Sequence, residues 1–148
     1  MNIYLKLIIL LNGLLWAKSS YGKFVSGNFV DNLGKTLTAF ASKNPYPWYK
    51  DFLNNVAIPN SQIFGTLTLY GEAFAALTLT FIPLYLFFKP ANQILRLLLI
   101  LGLLTGAFLN LIFWLAAGWT SPSTDSLNLV MLGVQVIALF AILKHSKK

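Results

Sequence analysis

Four stretches of the chain are almost unbroken runs of apolar residues, at about 3–21, 61–88, 94–117 and 126–143. Each approaches the roughly 20 residues that a helix needs to cross a bilayer core. Polar breaks divide them. Lys89-Pro90-Ala91-Asn92 ends the second run, because proline cannot continue a helix. Thr120-Ser121-Pro122-Ser123-Thr124-Asp125 parts the third run from the fourth and supplies hydroxyl and carboxylate N-caps. Residues 24–60 follow a different pattern. Phe29, Val30, Leu33, Leu37, Phe40 and Ala41 recur near helical spacing, with Asp31, Lys35 and Thr38 between them. That periodicity predicts an amphipathic helix at the membrane interface. In Asn44-Pro45-Tyr46-Pro47-Trp48-Tyr49 the second proline can open a helix, predicted over about 48–55. The neighbouring aromatics suit the headgroup zone. Ile58-Pro59-Asn60 then leads into the second span. The segment reads either as a cap that seals the bundle or as a lid or docking surface. The prediction is an all-α, polytopic membrane protein: one integral membrane domain over 1–148, a four-transmembrane-helix bundle with an outer cap at about 24–60.

Composition supports lipid as the solvent. Of the 148 residues, 57% are hydrophobic and 10% charged, against about a quarter charged in soluble domains. So short a chain cannot bury that much apolar surface in one aqueous core. The net charge of +7 suits anionic lipid headgroups or a small anionic substrate. The basic residues are spread over loops and helix ends without a nucleic-acid-binding module, so no nucleic acid is expected. There is no cysteine, which excludes disulfides, iron–sulfur clusters and thiol relays. His145, in a Lys-rich tail, is expected to be solvated rather than a metal ligand.

The first run carries one early lysine, Lys6, and small residues near Ala17 and Ser19, as a secretory signal would. Asn12 and Lys18 inside it favour a retained span. One side of the membrane would hold Lys6, Lys89, Arg96, Lys144, Lys147 and Lys148 with no acid. The other would hold Lys18, Lys23, Lys35, Lys43 and Lys50 with Asp31, Asp51 and Asp125. The purely basic side is expected to be cytoplasmic, with both termini there, in the cell membrane.

Glu72 is the most informative residue. It lies 11 residues into the second run, hence ~16 Å deep at 1.5 Å per residue. An ionisable group at that depth calls for a partner or a role. Its helical face, Gly65, Thr68, Glu72 and Ala76, is small and polar and should meet other helices. Gly102, Gly106, Asn110 and Trp114 form a second close-packing stripe. Asn12 and Gln135 reach similar depth, and Lys18 lies in the outer half. The candidate site is therefore Glu72 as the catalytic group, with Asn12, Lys18, Asn110, Trp114 and Gln135 around a polar head group such as a quinone. Tyr21 is a further candidate. An amide from Asn12 or Gln135 is the expected partner of Glu72, with Lys18 as the alternative. Interhelical hydrogen-bond glue is the competing reading of the amides.

The chain also resembles DoxX-type membrane proteins. The likeness rests on Gly13-Leu14-Leu15-Trp16-Ala17-Lys18 with Tyr21-Gly22-Lys23-Phe24. It continues in Pro47-Trp48-Tyr49 with Phe52-Leu53, Ile58-Pro59-Asn60, Tyr70-Gly71-Glu72 and Asn110-Leu111-Ile112-Phe113-Trp114. The spacing is most similar to the DoxD branch, the large subunit of thiosulfate:quinone oxidoreductase. The resemblance implies a four-helix membrane subunit of a quinone-linked redox system, oxidising thiosulfate or a similar small anion beside a second protein subunit. The alternative is a non-catalytic subunit that anchors or assembles a larger membrane complex.

Overall fold

The computed structural model describes residues 1–144; His145 and the expectation attached to it lie outside the described residues. The elements are α1 (Ile3–Ser26), α2 (Phe29–Ser42), α3 (Pro47–Phe52), α4 (Ser61–Leu86), α5 (Gln93–Ala117) and α6 (Pro122–Lys144). A short π-helical turn, Leu53–Ala57, continues α3. Helices α1, α4, α5 and α6 are long and apolar enough to cross a membrane. Together they form the expected all-α four-helix bundle, and α2 and α3 cover one end of it. That end is called the cap end.

Local chemistry sets the helix limits. The side chain of Asn2 caps α1 by accepting from the Leu5 N–H at 2.8 Å, and Asn92 does the same for α5 through Leu95. Ser121 Oγ accepts from the Thr124 N–H at 3.1 Å, and Pro122 opens α6. α1 runs five residues past the expected end at 21. Its stop is Gly27, whose φ of 67° is the left-handed cap that glycine adopts without strain. At the opposite end of the bundle cations close two helices. Lys6 donates to the Leu86 carbonyl of α4, and Arg96 donates to the Ile142 carbonyl of α6.

The bundle core comprises Ile9, Trp16, Ala75, Leu79, Leu103 and Ala138 among others. Large apolar residues such as Leu67, Phe81, Phe108, Ile137 and Phe140 stay exposed, as a lipid-facing surface requires. Both predicted small-residue stripes face inward: Gly65, Thr68, Glu72 and Ala76 are buried, as are Gly102, Gly106 and Asn110. At the α1–α4 seam one backbone lies directly against the other helix. A Cβ on Gly13 would overlap the backbone of Leu79 and Thr80. Pro83 lies inside α4 and has no N–H for the Leu79 carbonyl four residues back. Gly13 thus meets α4 at a carbonyl that lacks its helical donor.

The cap has its own core. Leu33, Leu37 and Ala41 of α2 join Tyr49, Leu53 and Ala57 against Ala116 and Ala117 at the end of α5. The amphipathic stripe read from sequence is the face that docks, so the segment packs as a cap on the bundle. Asn44 Nδ2 donates to the Leu115 carbonyl at 3.0 Å, and the Tyr49 hydroxyl to the Ile112 carbonyl at 3.1 Å. Burial pushes the Tyr49 hydroxyl up to about 12, so the phenol remains a donor.

Candidate functional site

α1 presents Asn12, Trp16, Ser19 and Lys23 along one stripe, at steps of three and four residues. Opposite the part of it nearer the cap end stands Glu72 of α4, fully buried. Lys23 Nζ lies 2.7 Å from Glu72 Oε1 and 2.8 Å from Oε2, and it also donates to Ser19 Oγ at 2.9 Å. Ser19 in turn donates to Oε2 at 2.9 Å. The three ammonium donors are thereby used, and both carboxylate oxygens are satisfied. The Lys23 ammonium also lies 5.2 Å from the ring centroid of Phe29, at the start of the cap, and 5.9 Å from that of Phe113. The Lys23 side chain is 22% exposed and that of Glu72 0%. The pair therefore runs from the rim beneath the cap to the bundle interior.

The expected partners of Glu72 need correction. Neither Asn12 nor Gln135 bonds it, and Lys18 is exposed, outside the site. Lys23 follows Lys18 by five residues, which turns it onto the inward stripe. The depth changes too. The first turns of α4 stand beside the cap, beyond the end of α1. Glu72 is level with Ser19, seven residues and hence ~10 Å from the end of α1.

The amides form a separate group deeper in the bundle. Gln135 Nε2 donates to Asn12 Oδ1 at 2.7 Å, and Asn110 Nδ2 donates to Gln135 Oε1 at 2.9 Å. All three are buried, so α1, α5 and α6 are tied through one chain of hydrogen bonds. Trp114 belongs to neither group; its indole donates to Asp125 Oδ1 at 2.6 Å at the cap end. Tyr21 is exposed. Ser19, Lys23 and Trp16 were the residues sequence reading missed. Their signal was the stripe continuing from Asn12, once α1 is extended past 21. Trp16 stands between the two groups, tilted on Phe113 with ring centroids 6.2 Å apart. Its indole N–H is buried without an acceptor.

Removing one partner of the ion pair should be costly. Lys23→Met leaves a buried carboxylate without its cation, and breaking such pairs typically costs about 3–5 kcal/mol. The rim position and the remaining Ser19 bond reduce this to about 2–4 kcal/mol. Lys23→Met/Glu72→Leu should recover most of the loss. A thermal unfolding series in mild detergent that finds the double variant no more stable than Lys23→Met would contradict this pairing.

Comparison with family models, with curated proteins and with solved structures finds no match to this chain.

Proposed function

We propose that the chain is a DoxX/DoxD-like membrane subunit of a quinone-linked redox system that oxidises thiosulfate or a similar small anion. The observation that carries the reading is the Lys23–Glu72 pair. An apolar pair of similar volume would pack the seam about as stably, because desolvation consumes most of the attraction. A carboxyl and an ammonium placed there point to work beyond packing. The residues fit a quinone head group. The Trp16 N–H is an orphaned donor for a carbonyl oxygen, and Phe29 and Phe113 offer aromatic surfaces beside the Lys23 ammonium. A bound quinone would supply the two-electron acceptor. In that arrangement Lys23 would turn one N–H from Ser19 to the quinone oxygen, and Glu72, a carboxylate in the ion pair, would first take up a proton entering at the Lys23 rim and then pass it to that oxygen. The cap over Lys23 limits access of water. Lysines on the cap attract the anionic donor, and a second subunit completes the path for its electrons.

The test is direct. Protein purified in mild detergent from its native membranes should carry isoprenoid quinone, extractable and countable by chromatography. With thiosulfate present it should reduce decylubiquinone. Absence of both from an intact preparation would refute the reading. A second reading, a non-catalytic subunit that anchors a larger complex, is favoured by the amides, which satisfy one another and hold helices together. Co-purified partners without quinone would select it.

The orientation belongs to the same proposal. Among the described residues the end opposite the cap holds Lys6, Lys89, Arg96 and Lys144 and no acid. We place that end and both termini in the cytoplasm, and the cap outside the cell membrane. Lys35→Cys should react with an impermeant maleimide in intact cells, and Lys89→Cys only after lysis. The reverse pattern would invert the topology.

A further inference from the structure

At the cap end, away from Glu72, a hollow of about 430 Å³ opens between the start of α3, the end of α5 and the start of α6. Tyr46, Trp114 and Trp119 line it, together with Thr120, Ser121 and Asp125. Three aromatic rings and one carboxylate make an unusual lining in a chain of net charge +7. The carboxylate has no cationic side chain paired with it among the described residues. Its one side-chain donor there is Trp114 Nε1, at 2.6 Å from Oδ1. As an acid in the first turn of α6, Asp125 complements the helix dipole, but that role needs neither the rings nor the hollow.

The lining is preset. Trp114 is fixed by Asp125 on one side and by Gly118 on the other, where a Cβ would come 2.8 Å from the indole Cδ1. Trp119 Nε1 donates to the Ala116 carbonyl at 3.0 Å. Tyr46 tilts on Trp114 with ring centroids 5.9 Å apart, and its N–H bonds Asn44 Oδ1 at 3.0 Å. Groups held in this way lose little freedom when a ligand enters.

We propose that this hollow is a binding site for a small organic ammonium group. Aromatic rings attract a cation through the negative charge of their faces, and the Asp125 carboxylate adds an opposite charge beside them. The same carboxylate repels anions, so the site is not the one that takes an anionic electron donor. A weakly hydrated quaternary or alkyl ammonium fits better than a metal ion, since the lining is mostly aromatic and carries one carboxylate. The group comes either from a free small molecule or from the amine head of a membrane lipid.

The test titrates tetramethylammonium chloride into the purified protein in dodecylmaltoside, following tryptophan fluorescence, with sodium chloride as the ionic control. A saturable change beyond the control is expected. Asp125→Asn keeps an acceptor for Trp114 but removes the charge, and should weaken binding about tenfold. Trp119→Ala, at a partly exposed ring, should weaken it several-fold, with thermal unfolding at the wild-type temperature. Nanodiscs separate the two sources. If phosphatidylcholine discs suppress a titration seen in phosphatidylglycerol discs, a lipid head group fills the site. If both discs titrate alike, the ligand is a free cation, and the site stands. No saturable response in detergent or in phosphatidylglycerol discs would overturn the proposal. So would wild-type affinity in a folded Asp125→Asn protein.

Discussion

Gly13→Ala should destabilise the protein by about 2 kcal/mol, and Gly13→Leu should prevent α1 from docking on α4 at all. The reason is what the added atoms would meet. The Cβ would stand 2.6 Å from the Thr80 backbone nitrogen and still closer to the Leu79 carbonyl. Side chains can swing away from an intruding methyl, but helix backbone cannot, so the two helices must separate. Overpacking of this kind typically costs about 1–3 kcal/mol and more when the neighbour is rigid. Alanine recovers up to about 1 kcal/mol through its better helix propensity, which is subtracted from the cost. α1 carries its own control in Gly22, where an added Cβ meets nothing within 4 Å. Gly22→Ala should be neutral or slightly stabilising. Thermal unfolding of the two alanine variants side by side decides the matter, and equal stability would show that the close approach at Gly13 does not hold.

Parts of this seam were legible in the sequence and parts were not. Apolar run length gave the four spans, and polar breaks placed the turns, because lipid demands long uninterrupted apolar helices. The inward faces of α4 and α5 were legible as small-residue stripes, and the docking face of α2 as a period near 3.6. Spacing also placed Glu72 and Asn110 on interior faces, and counting put Asn12 and Gln135 near the same depth. Neither said which would meet. That depends on the rotation and vertical offset of one helix against another, which one helix's own periodicity does not contain. That Glu72 meets Lys23, and neither the expected amides nor Lys18, follows from such an offset. The first turns of α4 rise beside the cap, so counting residues from its start put Glu72 too deep.

A second failure was local. Tyr21-Gly22-Lys23 reads as the polar edge of a span, yet α1 continues to Ser26 and turns Lys23 inward. Its long stem reaches the carboxylate while the side chain keeps 22% of its surface exposed, the habit of a lysine near a helix end. Lys18, with the same chemistry, faces outward because its position on the helix is wrong by more than a third of a turn. Trp114 shows a third limit. It does share the stripe of Gly106 and Asn110, but at the cap end the stripe leaves the bundle interior and meets Asp125 across the α5–α6 turn.

Proton handling at Glu72 is what the proposed redox role requires. Glu72→Gln keeps the size of the side chain and an oxygen that accepts from Lys23 and Ser19, while removing the negative charge and the oxygen that could take up and pass on a proton. Helix contacts around it are otherwise apolar or small, so the fold should survive the change. A positioned acid or base typically contributes about 10²–10⁴ in rate. The decisive measurement is thiosulfate-driven decylubiquinone reduction by the purified native complex, wild type against Glu72→Gln, with thermal unfolding recorded on the same samples. A loss of about hundredfold or more in rate is expected, in a complex that still folds but unfolds at a lower temperature, because Lys23 has lost its counter-charge. Reduction at the wild-type rate by a folded Glu72→Gln complex would contradict the proposed role.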